Sequence, residues 1–152
     1  MQFSIQRVTA DIVRPLRAEV LRPGEPFERN LYPGDDDPET FHAGAYCADR
    51  LVGSTTAMHQ SPPHLTLATT WRLRGVTIHP TVRGQGFGAR LIEFCTEYIR
   101  QQGGTYLWFY ANPPAVGFYE HLGFERHPDL LNHVLVGPPH PLMWRWLVTP
   151  PA

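Results

Sequence analysis

The chain predicts an α/β (α+β) fold in which helices cover a mixed sheet, and three observations carry that prediction. Alternating apolar and polar runs interleave with runs at helical spacing along the 152 residues. Their order is strand, helix, loop, three strands, helix, strand, helix, two strands. Residues 105–112, Thr-Tyr-Leu-Trp-Phe-Tyr-Ala-Asn, are an almost unbroken apolar and aromatic run, which suits a central strand buried on both faces. A glycine-rich turn joins a strand ending at Ile78 to the helix after it, and such a junction leaves backbone amides free for an anion.

Each element has its own signal. Phe3, Ile5 and Arg7 alternate with polar residues as a first strand. Residues 11–21 form a helix with Val13, Leu16, Val20 and Leu21 at helical spacing, ended by Arg22-Pro23-Gly24. Residues 41–47, 51–59 and 71–78 read as three antiparallel strands, with Asp49-Arg50 at the first turn. Leu91, Phe94, Cys95, Tyr98 and Ile99 line one face of the next helix, which Gly103-Gly104 stop. After the strand at 105–112, Pro113-Pro114 start a short helix with Ala115, Phe118 and Leu122 on one face and Gly123 as its left-handed cap. Residues 143–148 form the last strand.

Residues 78–91 read Ile-His-Pro-Thr-Val-Arg-Gly-Gln-Gly-Phe-Gly-Ala-Arg-Leu. Gly84, Gly86 and Gly88 carry no Cβ, so backbone N–H groups can approach a ligand closely, and Arg83 adds a planar positive fork. Together they suit a pyrophosphate. The spacing is not G-x-G-x-x-G, and the thirteen basic residues are all arginine, which excludes a P-loop and a Schiff-base lysine. What remains, Arg-x-x-Gly-x-Gly after a V-x-I-x-P strand end, resembles the acyl-CoA-binding motif of the GNAT superfamily of N-acyltransferases. The string Ala115-Val116-Gly117-Phe118-Tyr119-Glu120-His121-Leu122-Gly123-Phe124 resembles a second block of that superfamily, in the right order. The likeness is specific over residues 75–124.

This resemblance implies a single GNAT-like domain over residues 1–152. It implies a mixed sheet of about seven strands, about four helices, and a V-shaped splay between the strands ending near Ile78 and Asn112. The pantetheine arm of the co-substrate, acetyl-CoA, would lie in that splay. Its holders would be Val76 and Ile78, Arg83, Gly84, Gln85, Gly86, Phe87, Gly88 and Ala89, with Asn112 from the neighbouring strand. The implied reaction is acetyl transfer, by direct attack, to a primary amine of a small-molecule or amino-acid-like acceptor.

An amine attacking a thioester needs a donor for the oxygen that gains charge, a base, and an acid for the departing sulfur. The resemblance assigns the first role to backbone N–H near residues 76–78. It assigns the general acid to Tyr119, whose phenol is protonated at neutral pH. Residues 71–78 contain no acid, although many members of the superfamily carry a glutamate there. His140, in Gly137-Pro138-Pro139-His140-Pro141, is the candidate base, with His79 behind it. The acceptor side is expected to involve residues 22–42, where Glu25, Glu28, Asp35, Asp36, Asp37 and Glu39 gather. Such acids either attract a cationic amine or form a solvated, turn-rich loop.

Composition narrows the partners. A net charge of −1 without a basic stripe argues against nucleic acid. Cys47 and Cys95 have no redox or metal spacing, and neither His59 with His64 nor His127 with His133 has the spacing of paired helical ligands, so no metal is expected. No apolar run reaches the length of a membrane span, and residues 1–5 lack a signal pattern, so a cytoplasmic protein without a membrane partner is expected. Exposed strands leave a homodimer open. Two alternatives stand beside the small-molecule enzyme. A non-catalytic acyl-CoA-binding module would suit the missing strand glutamate. A protein N-acetyltransferase would need an open groove, whereas the proline-rich stretch 137–141 suggests a lid.

Overall fold

The computed structural model describes residues 3–134 and 137–149; Met1 and Gln2, part of the stretch read for a signal, lie outside the described residues. Its strands are β1 Phe3–Val8, β2 Phe41–Cys47, β3 Arg50–Met58, β4 Thr70–Ile78, β5 Tyr106–Tyr110, β6 Glu125–Asn132 and β7 His140–Trp146. They form one seven-stranded sheet in the order β1-β2-β3-β4-β5-β7-β6. All neighbours are antiparallel except β4 and β5, which are parallel and therefore need a crossover. That crossover is α2, Phe87–Gln101; the other α-helices are α1, Ala10–Leu21, and α3, Val116–His121.

The expected four helices are thus three among the described residues, and the other helical stretches are single 3-10 turns at Phe27–Asn30, Pro80–Val82 and Pro113–Ala115. The strand expected over 105–112 stops at Tyr110, because Pro113 and Pro114 take the chain into one of these turns. The final strand starts at His140, earlier than expected. The strand before it, β6, contains Pro128, and its ladder to β7 is interrupted between Arg126 and Leu131, which erases the alternation that would mark it.

The main core lies between α2 and one sheet face. Leu91, Ile92, Cys95 and Ile99 are buried against Val52, Leu73, Leu107 and Met143, each large aliphatic contributing about 1.5–3 kcal/mol. On the other face α1 packs with Val13 and Leu16 buried. Its position 17, four residues after Val13 on the same stripe, is an arginine buried completely. In α3 the expected inward face is rotated: Phe118 is 42% exposed, while Tyr119 is 7% exposed and belongs to the core. Gly123 closes α3 as expected, at φ 93°, with Phe124 N–H donating to Tyr119 O at 3.1 Å.

Candidate active site

The site begins where the parallel ladder ends. β4 and β5 pair through Thr70 with Tyr106, Trp71 with Leu107 and Arg72 with Trp108, and no further. Beyond Arg72 the strands part, and a cavity of ≈ 290 Å³ opens between Leu73, Gly75 and Val76 on one side and Phe109, Tyr110 and Asn112 on the other. A bulge sharpens the departure. The β3–β4 register shifts between Ser54 and Thr56, opposite Thr77 and Arg74, so Gly75 and Val76 share the space of one residue. Gly75 has φ 63°, and a Cβ there would lie 3.1 Å from a ring carbon of Tyr32 and 3.2 Å from Arg17 Nε. Only glycine meets both demands.

At the far end of β4, Pro80–Val82 forms a 3-10 turn and Arg83 Nε donates to Ile78 O at 3.3 Å. Gly86 is the N-cap of α2 in the left-handed conformation, φ 86°, and a Cβ there would meet nothing within 4 Å. The first bond of α2 runs from Arg90 N–H to Gly86 O, so the helix's opening amides need partners from outside it. An open approach, unpaired amides and Arg83 suit a pyrophosphate. The Phe87 ring is buried 4.4 Å, centroid to centroid, from Phe3.

Tyr119 and His140 line the same cavity, with Asn112, Tyr110 and Asn132. Tyr119 packs against Phe109, ring centroids 4.4 Å apart, and burial pushes its phenol up to about 12. Burial also lowers His140 below the ordinary imidazole value, so the ring is neutral at neutral pH. His79 lies elsewhere. Its Nδ1 faces the Thr81 hydroxyl at 2.7 Å and its Nε2 faces Glu19 at 3.2 Å, and it is not part of the described cavity lining.

A buried polar cluster supports the cavity floor. Arg17 donates through Nη1 and Nη2 to the two carboxylate oxygens of Asp35 at 2.7 and 3.0 Å, and to Asn30 O at 3.1 Å. His42 Nε2 meets Asp35 O at 2.9 Å and Nδ1 meets Thr56 Oγ1 at 2.8 Å. A carbonyl only accepts, so His42 carries its proton on Nε2 and accepts at Nδ1. Burial alone would raise the Asp35 carboxyl, but the Arg17 bonds and charge, with the Tyr32 amide, hold it below the ordinary value. Above this cluster the Tyr32 ring rests 4.0 Å from the Arg17 guanidinium carbon and 4.2 Å from that of Arg74.

The acids of residues 22–42 do not line this cavity. Of residues 22–42, the cavity lining takes Arg22 and Tyr32. Asp35 is spent on Arg17, and Asp36 is 82% exposed beside Arg14. The run is a solvated loop around one buried carboxylate. Among the described residues no group of three or more His, Cys, Asp or Glu side chains gathers as a metal site, and no helix is long and apolar enough to cross a membrane.

A family model, the Acetyltransferase (GNAT) family, matches residues 7–124, a span that contains the sheet splay, the glycine turn and α3. The chain belongs to the GNAT acetyltransferase family. As a GNAT protein it is an acyl-CoA N-acyltransferase. An uncharacterized N-acetyltransferase of Bacillus subtilis (strain 168), YitI, is 26% identical over 140 residues, which cover 88% of this chain and 94% of that one. The putative N-acetyltransferase from Lactobacillus plantarum superposes with a TM-score of 0.77 at 20% identity, covering 97% of this chain and 100% of the other. The putative acetyltransferase yncA from Salmonella typhimurium, solved with its cofactor acetyl-CoA, gives 0.75 at 15% identity, covering 100% and 98%. These two structures share the GNAT fold.

Sequence reading passed over Tyr32, Arg72 and Arg74. Arg72 and Arg74 alternate with the buried Trp71 and Leu73, a period-two signal that places both arginines on the opposite face. Tyr32 carries no comparable signal, because its segment is irregular.

Proposed function

We infer that this GNAT enzyme transfers an acetyl group from acetyl-CoA to the primary amine of a small acceptor by direct attack. One observation carries the reading. The opening between β4 and β5 continues into a cavity lined by Val76, Tyr119 and His140, with the glycine turn and the start of α2 at the far end of β4. The α2 amides at Phe87, Gly88 and Ala89, with Arg83, would hold the pyrophosphate, beside the glycine turn that Gln85 completes. The unpaired edges of Val76, Ile78 and Asn112 would hold the pantetheine arm as an added strand is held. That acetyl-CoA is the cofactor solved with a GNAT relative of the same fold supports this choice.

Acetyl-CoA supplies the activated thioester. Val76 N–H is aimed, in this reading, at the carbonyl oxygen that gains charge. His140, neutral through burial, accepts a proton from the attacking amine. Tyr119 donates to the sulfur as the C–S bond breaks. A phenol near 12 is a weaker acid than an alkyl thiol at about 8.5, so Tyr119 works chiefly as a hydrogen-bond donor that steadies the thiolate. The proton held by His140 then balances the products as a free thiol and a neutral amide.

The cavity, ≈ 290 Å³ and close to the bottom of the ~300–1,000 Å³ range of ligand sites, supports a small acceptor. The test is mass-spectrometric detection of both free CoA and acetylated acceptor across amino acids, polyamines, aminoglycosides and short peptides. Paired appearance of the two products with a small amine supports the reading. Acetylation of peptides alone, or CoA release without an acetylated amine, would sink it.

A further inference from the structure

The cavity carries a charge that acetyl transfer alone does not require. Its described lining includes Arg22, Arg72 and Arg74 and no aspartate or glutamate. The salt bridges among the described residues involve none of the three. Arg22 donates to the Arg29 carbonyl at 2.9 Å. Arg72 reaches Gln60 Oε1 at 3.4 Å, its guanidinium lies 4.8 Å from the Trp108 ring, and its Nε is buried without a partner. Arg74 rests on Tyr32, whose ring already meets Arg17. Arg17 has Asp35 as its counter-ion; Arg72 and Arg74 have aromatic rings and each other.

Partly buried guanidinium groups without a carboxylate are costly unless something else compensates them. The cost is visible in their acidity. Burial, with the charge of Arg74 next, brings Arg72 down to about 10, and burial lowers Arg74 as well. An anion between them would remove that penalty and fill the empty donors. The two residues are i and i+2 on β4, about 7 Å apart along one face, and the bulged pair Gly75 and Val76 follows them in the cavity lining. An anion held there shares the cavity with Val76, beside which the acetyl carbonyl would sit.

We propose that the acceptor is a carboxylate-bearing amine of amino-acid size, with its carboxylate held by Arg72 and Arg74 and its amine turned towards Val76 and Tyr119. The inference rests on the acetyl-transfer reading for the direction of the amine. Arginine's planar fork matches a carboxylate in two parallel bonds, and Trp108 and Tyr32 hold the forks in place. A polyamine or aminoglycoside would bring cations against the three arginines, which works against binding. The solvated acidic loop, outside the cavity, does not offset them.

The test titrates the common L-amino acids, their carboxamides, O-phosphoethanolamine and spermidine into the protein saturated with CoA. Tryptophan fluorescence, with Trp108 beside Arg72, reports binding. At least one amino acid is expected to bind, with its carboxamide weaker by about ten-fold or more. Arg74→Gln and Arg72→Gln should each bring the amino acid down towards its carboxamide while leaving CoA affinity, and hence the fold, unchanged. Arg74→Lys should restore part of the loss, since it keeps charge without the fork. Carboxamides or spermidine binding as well as amino acids, tighter binding of the phosphate amine, or no amino-acid binding at all would each overturn the proposal. With acetyl-CoA in place of CoA, acetylation of spermidine with amino acids ignored would remove this inference and leave acetyl transfer standing. Absence of CoA binding would remove acetyl transfer itself.

Discussion

Arg72 and Trp108 are the last residues paired across the parallel β4–β5 ladder, and the guanidinium carbon of Arg72 lies 4.8 Å from the indole ring centroid. One pair therefore marks both the apex of the splay and an edge of the cavity. Past it the facing edges of β4 and β5 have no strand partner, and backbone groups in that state are satisfied by a ligand or by water. The helix α2 that makes the parallel crossover also brings its N-terminus to the end of β4.

Substitution at Gly86 separates the cradle from general backbone strain. Gly86→Val places a branched side chain at φ 86° in the open approach to α2, and calorimetry should show acetyl-CoA affinity falling by about ten-fold or more. Gly103→Val imposes comparable strain at φ 80° beyond the other end of the helix and should leave affinity unchanged. Equal losses in both variants would mean that strain, not the cradle, is being measured.

Tyr119→Phe keeps the ring against Phe109 and removes only the hydroxyl. Turnover should drop about a hundred-fold, the bottom of the range for a positioned proton donor, with acetyl-CoA affinity nearly intact. Wild-type turnover at every pH would remove Tyr119 from the chemistry.

The pH profile examines His140. Burial places its folded value below 6.5, so kcat/KM should rise with pH through a limb below 6.5 as the ring loses its proton and becomes able to accept one. His140→Gln should abolish that limb along with most activity. A limb that persists in the variant would assign it to another group.

The Arg17–Asp35 pair makes a stability prediction. Both side chains are almost fully buried, so Asp35→Asn strands a charge and should cost about 3–5 kcal/mol in urea unfolding. Asp35 has its folded value below 3.8. Its contribution is complete above the unfolded carboxyl value and is lost as pH falls through the folded one. His42, lowered from 6.5 chiefly by burial, costs stability as pH falls from 6.5 towards its folded value, because the unfolded chain takes the proton first. The asparagine variant should lose the acidic limb and keep the histidine one.

Local signals made much of this legible. The glycine turn, the apolar run at 105–112 and the Gly123 cap each follow from short-range chemistry, and they fixed the element order before any packing was known. What escaped depends on contacts between segments distant in the chain. Asp35 looks like one of three neighbouring solvated acids until α1 brings Arg17 to it, although an arginine on the Val13 stripe was a signal that α1 buries an ion pair. The arginines of β4 read as a missing glutamate, and only the register with β5 turns them into a cation pair on the cavity. Phe118 and Tyr119 are neighbours in a six-residue helix, too short for periodicity to say which one points inward.

The most direct measurement is an amide NMR titration with acetyl-CoA. The account predicts shifts at Val76 and Ile78, through Gly84, Gly86 and Ala89 to Asn112 and Tyr119, with the β2–β3 turn at Ala48 and Asp49 unmoved. Shifts elsewhere with the glycine turn silent, or no shifts at saturating acetyl-CoA, would contradict it.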